Sequence, residues 1–250
     1  MASPSDGVEP SSRPPALFAT THWSAVLAAG RVDSPAAAQA LEQLCRIYWY
    51  PLYVFVRRQG HEAHDAEDLT QEFIARFLAK EYFGRANPAL GRFRNYLLAS
   101  LKHFLSEQWR QAGRLKRGGG QTIVSWDGQT AEEHYQSEPA DPVTPEKVYE
   151  RRWALTLLEQ VLARLGGEQS AAGKGEGFAQ LRDYLWGEGS GAGYAEVAMR
   201  LGMTEGALKV TVHRLRERYR ELLREEVAQT VATVHEVEEE LRYLVTVIRG

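Results

Sequence analysis

The sequence predicts an all-α fold of two helical domains joined by a flexible linker, and three observations lead there. Apolar residues recur at three- and four-residue steps through most of the 250-residue chain. Almost no segment alternates with the period of two that a half-buried strand needs; residues 121–126 are the exception. Between 113 and 144 the helical period lapses, and Glu132, Glu133, Pro139, Asp141 and Pro142, with Pro145 just beyond, make an acidic, proline-rich connector. A hydrophobic fraction of 44% over this length is enough for one or two buried cores.

Taken in order, residues 1–16 are rich in Ser and Pro and are expected to be disordered. The first domain is assigned to 17–112. Its helical segments are 23–29, 35–47, a restart at Pro51 running to 59, 64–80, and 92–112. Pro51 suits a first helical turn, where its missing N–H has no intrahelical partner anyway. The linker is 113–144. The second domain, 145–228, opens with Thr144 as cap and Pro145 at the first helical position. Trp153, Leu157, Val161 and Leu165 mark one helical face, Gly166 and Gly167 are expected to end it, and 171–177 reads as a flexible glycine-rich loop. A short helix follows at 178–186. The extension 229–250 places Val237, Leu241, Leu244 and Ile248 at helical spacing opposite Glu238, Glu239 and Glu240, either a docking helix or an exposed one.

Residues 194–224 carry the most specific local pattern. A short helix with Ala195, Val197, Ala198 and Leu201 on one face runs into Gly202, which can turn sharply, and Thr204 is placed to cap a second helix. In that helix Leu208, Val212, Leu215, Tyr219 and Leu222 form the buried stripe, and Lys209, His213, Arg214, Arg216, Arg218 and Arg220 lie off it. This pattern is the one expected of a DNA-reading helix-turn-helix, whose second helix faces base edges with its first turns and phosphates with its later cations, the alternative being an ordinary amphipathic helix with a solvated basic face.

Net charge is only −3, which argues against global polyanion binding, but the charge is segregated. Arg92, Arg94, Lys102, Arg110, Arg114, Lys116 and Arg117 face Glu107 alone within 92–117, whereas 61–72 holds Glu62, Asp65, Glu67, Asp68 and Glu72 without Lys or Arg. The first stretch suits phosphate, the second a basic protein surface. Aromatics interleaved with cations after Arg92 suit single-stranded DNA, a ring face for an unstacked base and a cation for its phosphate. Phe93, Leu97, Leu101 and Phe104 trace a core stripe there, leaving Tyr96, His103 and Trp109 as candidates for contact. No catalytic, cofactor or metal site is assigned: the P-loop order is absent around Lys174, the seven histidines are scattered, and the acidic cluster lacks a second ligand group. One cysteine, Cys45, excludes a disulfide framework. No secretory signal or membrane span is legible, so a soluble cytoplasmic protein is expected.

Three motifs in order resemble bacterial RNA polymerase sigma factors of the sigma-70 family, extracytoplasmic-function (ECF) type. They are the acidic run from His64 to Phe73, the stretch from Gly91 to Leu105 with Trp109 and Arg110, and the helix-turn-helix. Residues 41–117 are similar to region 2 and 146–228 to region 4. The resemblance implies core RNA polymerase as partner, through its β′ clamp helices and β flap, with Asp65, Glu67, Asp68, Gln71, Glu72 and Phe73 on the polymerase side. It implies promoter DNA as second partner. Arg92, Arg94, Tyr96, Lys102, His103, Trp109 and Arg110 would meet the minus-ten element, and the loop 82–91 would help to melt it. Tyr194, Lys209, Thr211, His213, Arg214, Arg216 and Arg218 would meet the minus-thirty-five element, although Ala207 and Val210 stand where the family usually has hydroxyl residues. An anti-sigma factor or a Ser/Thr kinase is a further partner that the resemblance allows, with the tail or Thr70 as regulatory element. The rival reading is a stand-alone helix-turn-helix regulator, for which only the tail could form a dimer seam.

Overall fold

The computed structural model describes residues 35–79, 91–112, 128–136, 143–187, 193–231, 233 and 235–249, and these are helical with no strand among them. The first domain contributes α1 (Pro35–Arg58), α2 (Ala63–Leu78) and α3 (Phe93–Ala112). Then come α4 (Gly128–Gln136), α5 (Pro145–Ala171), α6 (Gly175–Leu181) with a 3-10 turn (Arg182–Leu185), α7 (Tyr194–Arg200), α8 (Glu205–Thr230) and α9 (His235–Arg249). No helix among the described residues is long and apolar enough to cross a membrane. The expected helix at 23–29, the strand-like run 121–126 and the loop tip at 82–90 lie outside the described residues.

Two apolar cores organise the chain. The first gathers Tyr48, Leu52 and Phe55 of α1, Phe73 and Phe77 of α2, and Phe93, Leu97, Leu101 and Phe104 of α3. Tyr48 meets Phe93 edge-on at 5.5 Å and Phe73 meets Phe104 tilted at 5.8 Å, geometries that ring quadrupoles favour. The second gathers Leu181, Tyr184 and Leu185, Val197 and Ala198 of α7, and Leu208, Val212, Leu215, Tyr219 and Leu222 of α8. Helix α5 belongs to both. Its stripe at four-residue steps places Trp153 and Leu157 in the first core and Val161 and Leu165 in the second.

Four local expectations change. Pro51 lies inside a continuous α1 and not at a restart. It lacks the amide that would bond the carbonyl of Ile47, and the helix persists because Ile47, Tyr48, Leu52 and Tyr53 around it are all fully packed. Gly166 and Gly167 do not end α5, which runs on to Ala171. The stop is Gly173, at φ +70, where Gly173 N–H bonds the Ser170 carbonyl and Lys174 N–H the Gln169 carbonyl, a Schellman cap. Part of the expected linker is helical, as α4. Last, the apolar side of α9 is covered by the chain itself: Val237 and Leu244 are buried in the first core, with Leu241 and Ile248 packed against it.

Candidate nucleic-acid and protein-docking surfaces

The helix-turn-helix forms as its residues dictate. Gly202 sits at φ +64, its N–H bonds the Met199 carbonyl, and the Met203 N–H bonds the Ala198 carbonyl, closing α7 with the same cap as α5. Thr204 Oγ1 accepts the Ala207 N–H at 3.2 Å and so starts α8. The buried stripe orients the rest: Val210, His213 and Arg214 are exposed on the first three turns of α8. No ion pair engages Arg214 among the described residues. Lys209 is also exposed, pairs with Glu205 at 2.6 Å and lies 5.7 Å from the ring of half-buried Tyr194. Thr211 turns its hydroxyl back onto the Ala207 carbonyl at 2.9 Å.

Two cations of the expected DNA face are engaged by the chain's own acceptors. The Arg216 guanidinium donates to the Tyr184 carbonyl at 3.1 and 2.6 Å and to the Gly187 carbonyl at 2.8 Å, capping the turn before the motif. Arg218 makes a two-pronged pair with Glu168 of α5 at 2.9 and 2.8 Å and also meets Glu221 at 2.9 Å. The Arg218 hydrogen bond accordingly holds the Glu168 carboxyl below the usual range. Both arginines brace α8; neither is presented as a groove contact. Sequence spacing puts them off the apolar stripe, and the Tyr184 and Gly187 carbonyls and the Glu168 carboxylate that meet them come from distant segments.

On α2, Asp65, Asp68 and Glu72 are exposed. Glu72 already holds Arg76 at 2.5 Å and receives Gln108 at 2.8 Å, and Glu67 accepts from Gln71 at 2.9 Å. Among the described residues, the ion-pair partner of Asp68 is His64, at 3.6 Å. Phe73 is fully buried, so it supports the acidic surface from the core side and does not form part of it. Thr70 is likewise buried and donates to the Ala66 carbonyl at 2.7 Å, which keeps its hydroxyl from a kinase in this fold.

Helix α3 divides by position. Trp109 is 80% exposed near its end, beside Arg110, whose Nε donates to the Ser106 carbonyl at 3.1 Å. Together with Phe55, Gln59, His61, Lys102, Leu105 and Ser106 these two line an open hollow of about 550 Å³. Lys102 pairs with Glu146 at 2.6 Å, and that hydrogen bond lowers the Glu146 carboxyl. His103 approaches Glu107 at 3.1 Å, and Tyr96 is half-buried beside Phe93 and Phe77. Arg92 and Arg94, at the start of α3, are not open to a ligand. Arg94 is 4% exposed and donates to Glu240 of α9, while Arg92 meets Glu236 at 2.7 Å, Glu239 at 3.1 Å and Glu240 at 3.2 Å. No local pattern reveals these acidic partners, because 147 residues separate Glu239 from Arg92 and 146 separate Glu240 from Arg94.

Fold and surfaces together give, among the described residues, an all-helical architecture with a helix-turn-helix, an exposed acidic helix, and an aromatic and basic helix beside a hollow. Among characterised proteins, the chain is similar to the ECF RNA polymerase sigma factor SigE of Mycolicibacterium smegmatis, with 27% identity over 229 residues, 90% of this chain and 74% of that protein. No family profile matches the chain. No solved structure matches it either. The likeness supports a place in the sigma-70 family and a role in transcription initiation.

Proposed function

We propose that this protein is an ECF-type sigma factor that binds core RNA polymerase, brings it to two promoter elements and opens the DNA. The observation that carries this reading is one chain holding both an acidic helix, with Asp65 and Asp68 unpaired to any Lys or Arg among the described residues, and a helix-turn-helix whose leading turns expose His213 and Arg214. The likeness to SigE spans both. Asp65 and Asp68 steer α2 onto the β′ clamp helices, since opposed charge sets orientation and encounter rate. Helix α8 enters the major groove at the minus-thirty-five element, with the second domain on the β flap. Trp109 and the adjoining hollow receive an unstacked base near the minus-ten element, stacking being worth about 1–3 kcal/mol per base. The protein supplies binding energy and no covalent chemistry. A stand-alone dimeric regulator is disfavoured because the apolar side of α9, its available seam, is already packed on the chain's own core.

The test is permanganate footprinting with core enzyme on a promoter found by selection. Thymines near the minus-ten element are expected to react only when protein and core are both present. Asp65→Lys with Asp68→Lys is expected to remove core co-elution without changing helical content. Tight, sequence-specific duplex binding by the protein alone, with no melting on adding core, would replace this reading by the regulator.

A further inference from the structure

The start of α3 is built to attract anions, and the chain's own carboxylates fill it. Two guanidiniums stand where the N–H groups of a helix N-terminus already create positive potential. Three glutamates of α9 converge on them: Glu236, Glu239 and Glu240 on Arg92, and Glu240 also on Arg94. The Arg94 guanidinium is clasped between rings, 4.6 Å from Trp153 and 4.4 Å from Tyr243. Glu240 is 1% exposed. Three carboxylates meet two guanidiniums here, and anionic oxygens are also what adjacent backbone phosphates would offer.

We propose that α9 is a detachable cover on the N-terminal end of α3, in which Glu236, Glu239 and Glu240 occupy the arginines that promoter phosphates take when the helix leaves. This rests on the sigma-factor reading, in which α3 meets the minus-ten element. The means of attachment fits a device that opens. Only Val237, Glu240 and Leu244 of the 15 residues of α9 are buried, and a helix of that length is marginal by itself, so it is held by a narrow apolar strip packed on the first core together with the charge cluster. A desolvated ion pair adds little net stability compared with an apolar contact of the same volume. It is, however, selective for an anionic competitor. Promoter DNA held close by polymerase supplies such a competitor at high local concentration, and the same displacement couples opening to correct docking.

The experiment compares full-length wild type with Glu236→Gln/Glu239→Gln/Glu240→Gln in permanganate footprinting at sub-saturating protein, with core co-elution read on the same samples. The triple variant is expected to raise minus-ten reactivity about fivefold or more, the low end of an intramolecular coupling energy, with co-elution unchanged. Equal or lower reactivity with intact co-elution would overturn the cover and leave the sigma-factor reading standing. Failure of wild type to co-elute with core would strike both. Should the triple variant not fold, hydrogen exchange on wild type decides. Amides of 235–249 are expected to lose protection when core and promoter are both added, and unchanged protection in an open complex refutes the proposal.

Discussion

Arg214 projects from α8 without an ionic partner among the described residues, while one turn further on Arg218 is gripped by Glu168, Glu221 and, at 3.6 Å, Glu225. The two arginines look alike in sequence, and their surroundings give them different duties. Arg214→Ala is therefore expected to weaken promoter binding by about 1–3 kcal/mol, the range for a lost base or phosphate contact, with no change in melting temperature. Arg218→Ala is expected to lower stability by about 0.5–1 kcal/mol, the range for a partly solvated pair, with little effect on binding by the folded protein. Equal losses of affinity at equal stability would contradict this division. Thermal melts and gel-shift titrations on both variants measure it.

Helix α4 shows how a segment with no helical signature acquires a fixed position. Its Glu132 accepts from Arg57 at 3.0 and 2.8 Å, from Tyr53, and from Gln136 at 3.3 Å, and Arg57 lies 4.7 Å from the ring of Tyr135. Burial pushes the Glu132 carboxyl up, but the hydrogen bonds from Arg57, Tyr53 and Gln136 outweigh it and leave it below the ordinary value. A depressed folded-state value means that the carboxylate stabilises the fold fully above its unfolded value, near 4.5, and that this contribution is lost as pH falls through the folded one. Glu132→Gln is expected to be less stable than wild type at neutral pH by about 1.5–3 kcal/mol, the scale of hydrogen bonds to a charged group. The gap should shrink below about pH 4. Denaturant titrations at pH 7 and in the acid range measure it; a gap constant with pH would show that the carboxylate is not what holds α4.

The two cores are mechanically joined, because α5 runs through both and the end of α8 leaves the second core to place Val227 and Ala228 in the first. Leu157, fully buried, sits one turn before Val161, where the stripe passes between cores. Leu157→Ala is expected to cost about 2–5 kcal/mol, transfer plus cavity. Because the helix is shared, unfolding by urea should remain one transition, with circular dichroism and tryptophan fluorescence coincident and the midpoint lowered. Two separated transitions would mean that the cores fold independently and that α5 is a tether.

What the sequence by itself determined were the features fixed by local spacing. The stripes Phe93–Leu97–Leu101–Phe104, Trp153–Leu157–Val161–Leu165 and Leu208–Val212–Leu215–Tyr219–Leu222 are buried throughout, and the Thr144 and Thr204 caps and the Gly202 turn form as their residue types require. Periodicity and capping involve neighbours within one or two turns, so one sequence suffices to read them. Tertiary structure decided which charges remain available. Arg92, Arg94, Arg216 and Arg218 are as polar as Arg214 in any pattern, but each is met by a carboxylate or carbonyl 29 or more residues away. The place of α4 on α1, the continuity of α1 through Pro51 and the ion pairs of α9 with the start of α3 were decided in the same way. Each is set by a partner brought close only when the chain folds, since burial and ion pairing depend on distance in space and not on separation along the chain.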